Sequence, residues 1–185
     1  PITAFLRTAD TEPVPNLQLL FHGGPLNAAP WLKPFRQPFD DGFSVIAVVL
    51  RPHSRGRLEL ASTDPRQAIR IRQNFLSADH DWTTLRAGLR LVRDLGNQSP
   101  LAPFVATERA PGADKLSDAD LDAHIRAIAI TVHHPLGTCR MGPDGDIGAV
   151  VDAQLRVHGV EGLRVVDASV MPSLVGGNIN AAIIM

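Results

Sequence analysis

Phe43-Ser44-Val45-Ile46-Ala47-Val48-Val49-Leu50 is the strongest strand signal in this chain. The run is rich in β-branched residues, which fit a pleated, half-buried surface, and Pro52 to Gly56 supplies a turn directly after it. Beyond that turn, Arg57-Leu58-Glu59-Leu60-Ala61-Ser62 alternates polar and apolar side chains, the period of a strand with one buried face. The two runs are therefore expected to pair as an antiparallel hairpin, with Ala68 to Arg72 adding a further strand. Working upstream, Leu17 to Phe21 reads as a short buried strand closed by Gly23-Gly24-Pro25. Pro1 to Pro15 reads as an irregular lead-in. Asn27 to Asp41, with three prolines and the aromatic anchors Trp31 and Phe35, reads as a long surface loop.

Downstream the period changes. Trp82, Leu85, Leu89 and Val92 recur at helical spacing, with Ser77 or Asp79 as the cap and Gly96 as the stop. Ser117-Asp118-Ala119-Asp120 has the form of a capping box, opening a helix with Leu121, Ile125 and Ile128 on one face. Leu155 to Val157 and Leu163 to Val166 read as short strands separated by His158-Gly159. Strands first and helices after predict an α+β fold, an antiparallel sheet with helices on one face, rather than a doubly wound sheet.

The 185 residues suffice for one domain with a sizeable core, and 44% hydrophobic with 20% charged residues is a globular composition. Eighteen basic against nineteen acidic residues leave a net charge of −1, which argues against nucleic acid or an anionic membrane as partner. The single Cys139 excludes an internal disulfide framework and any multi-cysteine metal site. There is no apolar stretch of about 18 residues to span a membrane and no visible signal peptide, so the default location is cytoplasmic. The chain begins at Pro1 and stops inside the apolar run ending Ile183-Ile184-Met185, which suggests a fragment.

Two segments concentrate polar chemistry. In Thr131-Val132-His133-His134-Pro135-Leu136-Gly137-Thr138-Cys139-Arg140-Met141-Gly142, Pro135 and Gly137 stop a helix and leave two histidines on a bent backbone. Neutral imidazole is the usual general base near pH 7, yet loop histidines equally serve to cap helices or satisfy carbonyls. A metal site built on His133, His134 and Cys139 is disfavoured, because adjacent His side chains diverge and no fourth ligand follows. Cys139 as a nucleophile is disfavoured for a lone cysteine. The second segment is Asp167-Ala168-Ser169-Val170-Met171-Pro172, followed by Gly176-Gly177-Asn178-Ile179-Asn180. Its small residues permit close approach of backbone to a ligand, and Asn178 or Asn180 can cap a helix beginning near Ala181. From the residues alone an ordinary strand–turn–helix corner explains it as well.

Taken together, the two segments resemble the C-terminal signature of the glucose–methanol–choline (GMC) family of FAD-dependent oxidoreductases. The matching residues are His134-Pro135, Gly137 to Gly142, Val150-Val151-Asp152, Leu155 to Val160, Gly162 to Pro172, and Gly177-Asn178 with Asn180-Ala181. Upstream, Arg51-Pro52, Ser54-Arg55-Gly56 and Leu58 to Pro65 resemble the family's substrate-domain hairpin. The resemblance implies a GMC substrate-binding domain over 1–142. Over 143–185 it implies a segment whose strand and helix start return to the FAD-binding domain. The Rossmann G-x-G-x-x-G that cradles the FAD pyrophosphate in such proteins is absent here, so the N-terminal FAD-binding portion would be the missing partner.

The resemblance also implies roles. His134 would be the general base towards an alcohol, which is oxidised to a carbonyl with hydride transfer to FAD. Asn178 would orient the substrate oxygen, since an amide has no titrating proton. His133, Asp167, Ala168, Asn178, Ile179 and Asn180 would lie at the cofactor, and no metal is expected. Cys139, Arg140, Met141 and His158 would be structural, and the loop from Trp31 to Asp41 would cover the mouth of the site. The alternatives are a hydroxynitrile lyase with redox-silent FAD and a non-catalytic fragment that needs a partner chain.

Overall fold

A computed structural model of the chain describes residues 2–25 and 41–185. The fold is α+β, built as two units: 1–49 with 79–129, and 50–78 with 130–185. The expected loop from Asn27 to Asp41, and the cover it would form, lie outside the described residues apart from Asp41.

In the first unit three antiparallel strands form a sheet in the order β1 (Ile2–Leu6), β2 (Leu17–His22), β3 (Ser44–Val49). The register pairs Leu19 with Ala4 and with Ala47, and Leu17 with Leu6 and with Val49, so these residues share one sheet face. Helix α1 (Asp79–Gly96) lies on that face. It approaches through Gly88, where an added Cβ would stand 3.0 Å from Leu17 Cδ1 and 3.2 Å from the Ala47 Cβ. Leu17 is fully buried and Leu19 nearly so. Each such leucine contributes roughly 1.5–3 kcal/mol of burial. Helix α2 (Asp118–Ile128) buries Leu121 and Ile125, while Ile128 on the same stripe stays half exposed. Arg86 pairs with Asp122 through two nitrogens, at 2.6 and 2.8 Å, and so joins α1 to α2. Arg126 of α2 stacks over the Trp82 ring at 4.6 Å.

Two expectations are corrected here, and one helix packs in a way that its pattern leaves open. Ile2–Leu6, read as part of an irregular lead-in, is an edge strand; its mixed burial leaves no clean alternation to find. The run at 43–50 does not pair with 57–62. β3 pairs with β2, and β4 (Arg57–Glu59) pairs with β5 (Arg70–Arg72) in the second unit. On α1 the buried positions are Asp81, Thr84 and Gly88, whereas Trp82, Leu85, Leu89 and Val92 are half-buried. The small residue wins the closest approach because only it lets the helix backbone reach the sheet.

In the second unit Leu58 stands opposite Ile71, and Glu59 bridges Arg57 and Arg72. Those two guanidiniums, Arg72 foremost, hold the Glu59 carboxyl below its ordinary range. Gly56 is required by crowding, since any side chain there would run into the carbonyl of Arg72. Ser54 Oγ accepts from the backbone N–H of Ser77 and of Ala78, at 2.9 and 3.1 Å, tying the two ends of this excursion together.

The rest of the unit, from Ile130 on, is held by turns and single bridges. The expected strands at 155–157 and 163–166 take the form of isolated antiparallel bridges, Arg156 to Arg164 and Val151 to Val157. Left-handed residues at Leu155, Gly159 and Gly162 (φ of 63°, 76° and 75°) interrupt any longer ladder. Helix α3 (Asn180–Ile184) starts where expected, but its N-cap is Ile179 with no side-chain cap bond, so neither Asn178 nor Asn180 caps it. Among the described residues no helix is long and apolar enough to cross a membrane.

Candidate active site

The two polar segments are laced together by backbone hydrogen bonds. The N–H of Cys139 donates to Ser169 O at 3.0 Å, and the N–H of Met141 donates to Val170 O at 2.8 Å. Val151, fully buried, accepts from the Gly142 N–H at 3.0 Å and anchors the lower end of this arrangement. Arg140 pairs with Asp146 at 2.8 Å and pulls the Pro143–Ala149 loop back onto the strip; its charge, with the Gly148 N–H, holds the Asp146 carboxyl below its ordinary range. His158 Nε2 donates to Gly142 O at 3.2 Å, an architectural contact. Cys139 is half-buried and unbonded to any other cysteine.

This frame brings His134 and Asn178 together, 44 residues apart in sequence. Asn178 Nδ2 lies 3.5 Å from His134 Nε2, at the outer edge of hydrogen-bond distance. The other ring nitrogen, Nδ1, lies 3.1 Å from the His133 carbonyl oxygen. A carbonyl can only accept, so in the neutral ring the hydrogen sits on Nδ1 and the lone pair on Nε2. An amide N–H facing that lone pair is consistent with the same tautomer. A hydroxyl oxygen placed about 2.8–3.0 Å from both nitrogens closes a nearly equilateral triangle on the Nε2–Nδ2 edge. The pair therefore offers one acceptor and one donor to a single hydroxyl. His134 is half-buried and Asn178 exposed, so the edge is open to a ligand.

The other expected site residues divide into two groups. His133 has a left-handed backbone, φ 63°, and donates its N–H to Thr131 Oγ1 at 3.0 Å. Its carbonyl is the group that meets the neighbouring ring, so what it supplies to His134 is backbone. Asp167 caps the short 3-10 turn Ala168–Val170, accepting from the Ser169 N–H at 2.8 Å and from the Ser169 hydroxyl. The hydroxyl and the N–H together hold the Asp167 carboxyl below its ordinary range. Ile179 is buried at 4% exposure, while Asp167 and Asn180 are exposed and Ala168 is intermediate. No group of three or more metal-binding side chains is found among the described residues.

One residue carries more than its sequence context suggested. Arg51, quoted only as part of an Arg-Pro pair, lays its guanidinium against Gly176. The buried Leu50, just past the end of β3 and followed at once by a fixed charge, was the available signal.

The donor set can be compared with the needs of a flavin and an alcohol. An imidazole offering Nε2 as an acceptor, an amide donor, and small residues at Ala168, Gly176 and Gly177 suit the ring-side half of a flavin site. The phosphate half has no glycine-rich cradle in this sequence.

Comparisons with known proteins agree with this architecture. The pattern described as GMC oxidoreductase matches residues 52–185, and the chain belongs to that family. It is 44% identical over 181 residues to an oxygen-dependent choline dehydrogenase of Pseudomonas aeruginosa (strain UCBPP-PA14), covering 98% of this chain and 31% of that protein. The chain thus spans about a third of that relative's length. Its fold is similar to pyridoxine 4-oxidase from Mesorbium loti, with a TM-score of 0.79 and 31% identity, over 98% of this chain and 35% of that one. It is also similar to an FAD-dependent oxidoreductase from Chaetomium thermophilum, with a TM-score of 0.75 and 26% identity, over 92% of this chain and 26% of that one.

Proposed function

We propose that this chain is the substrate-side portion of an FAD-dependent enzyme that oxidises an alcohol to a carbonyl. The observation that carries the reading is the His134–Asn178 pair, with Nδ1 tied to the His133 carbonyl and Nε2 left as an acceptor. In this reading residues 1–142 form the substrate-binding part and 143–185 return to the FAD-binding part, whose phosphate cradle the remainder of the protein supplies. The choline dehydrogenase relative supports a small alcohol as substrate.

The substrate hydroxyl sits across the edge between the two side chains. Asn178 Nδ2 donates to its oxygen and His134 Nε2 accepts its proton. As the O–H bond breaks, its electron pair forms the second C–O bond and the carbinol C–H bond releases hydride. Asp167, Ala168 and the Asn178–Asn180 segment would hold FAD, which would supply the acceptor for that hydride. The proton remains on His134 as an imidazolium whose Nδ1–H still donates to the His133 carbonyl. The balance is one alcohol giving one carbonyl, one proton held on His134 and one hydride that FAD would take up. Asn178 holds no proton in this cycle, because an amide does not titrate.

The test uses the full-length parent, purified with its flavin and kept anaerobic, mixed with a panel of alcohols. Bleaching of the oxidised-flavin absorbance is the expected result, and His134→Ala should slow it roughly 100-fold or more. A bound flavin that no alcohol bleaches, together with cleavage of a cyanohydrin, would replace this reading with the lyase. Bleaching at an undiminished rate in His134→Ala would remove the base.

A further inference from the structure

We propose that Arg51 is a positioning residue for Asn178, acting through Gly176. The inference rests on the reading of His134 and Asn178 as the reacting pair and extends it to a residue that touches neither. The starting observation is how little holds Asn178. Among the described residues its side chain makes one hydrogen-bonding contact, the one to His134. It does not cap α3, whose N-cap Ile179 has no side-chain bond. The aim of its amide must then come from the backbone on either side. On the C-terminal side Ile179 is anchored by burial. On the N-terminal side the chain passes through Gly176 and Gly177, which have no side chains to anchor.

Arg51 fills that gap. A methyl group on Gly176 would stand 2.7 Å from Arg51 Nη2 and 3.4 Å from its Cζ, so the guanidinium occupies the space a Cβ would take. The glycine is not there for its dihedral angle, because Gly176 is not among the glycines with positive φ. It is there for room. A planar, permanently charged group laid on a glycine backbone restrains that backbone without needing a side chain from it. Two residues later, no more than about 7 Å along the chain, comes Asn178. A displacement of its amide by about 1 Å costs catalysis far more than binding, by up to roughly 100-fold.

The experiment uses the flavin-loaded full-length parent and compares Arg51→Met, Gly176→Ala, Asn178→Ala and the double variant Arg51→Met/Asn178→Ala, with His134→Ala as reference. Nη2 is the tip of a flexible side chain, so a methyl at 176 should push Arg51 aside rather than unfold the loop. Arg51→Met and Gly176→Ala should each lower kcat roughly 10-fold or more with KM changed less, while flavin content and melting temperature hold. In the Asn178→Ala background, Arg51→Met should alter kcat by less than about twofold, because the residue it positions is already gone. A purely structural role would not show that non-additivity. Should Arg51→Met fail to load flavin, Gly176→Ala with and without Asn178→Ala gives the same comparison. Wild-type kcat in Arg51→Met, or a full further loss on top of Asn178→Ala, would overturn the proposal while leaving the His134–Asn178 pair intact. Unchanged turnover in His134→Ala and Asn178→Ala would overturn the pair and this inference with it.

Discussion

His133 shows how a residue can fix the tautomer of a neighbouring imidazole through its backbone alone. Its left-handed backbone directs a carbonyl to His134 Nδ1 at 3.1 Å, which leaves Nε2 as the acceptor. β-branched residues disfavour that conformation by roughly 1–2 kcal/mol, whereas asparagine tolerates it. His133→Asn should therefore keep steady-state kcat/KM nearer the wild-type value than His133→Val does. Equal losses in the two variants would show that the imidazole ring of His133, not its backbone, matters. At this scale the motif singled out His134 and Asn178, and the fold brings the two side chains to 3.5 Å. The Arg51–Gly176 contact was not legible. Nothing in either local sequence says that a guanidinium will lie where a Cβ would be.

Among the elements, α2 has a complete capping box at its start. Ser117 Oγ accepts from the Asp120 N–H at 3.1 Å, and the Asp120 carboxylate accepts from the Ser117 N–H at 3.2 Å. Ser117→Ala removes one side of this box and should cost about 1 kcal/mol, read as a lowered urea midpoint with unchanged slope. An unchanged midpoint would mean that packing of Leu121 and Ile125 alone sets the helix start. The box was readable because it is written in four consecutive residues. β1 and the pairing of β3 were not, because an edge strand is chosen by its partner, and a strand's neighbour by topology. The same holds for α1. A hydrophobic stripe predicts a helix well, but the face that comes closest depends on where a small residue lets two backbones meet.

Across the whole molecule, carboxylates in both units are held below their ordinary range. Asp122 is held by Arg86, and Asp152 by the Arg156 N–H and then its guanidinium. A carboxyl whose folded-state value is depressed contributes stability that is present above its unfolded value and is lost as pH falls through the folded one. The stability of the parent should thus be level above about pH 5 and decline below about pH 4, followed by urea unfolding across that range. Asp122→Asn should make the decline shallower; an unaltered pH profile would show that the Arg86 pair contributes nothing net.

The amino-acid sequence by itself determined the family, the α+β composition, the helix spans and the two segments that carry His134 and Asn178. Those depend on short-range patterns and on a motif order that survives reading in one dimension. Only the tertiary structure decided that 43–49 and 57–62 belong to different units, that Ile2–Leu6 is a strand, and that Arg51 covers Gly176. Each of these is a contact between segments far apart along the chain. Such contacts are selected by burial and backbone pairing against the alternatives, and no local pattern records that competition.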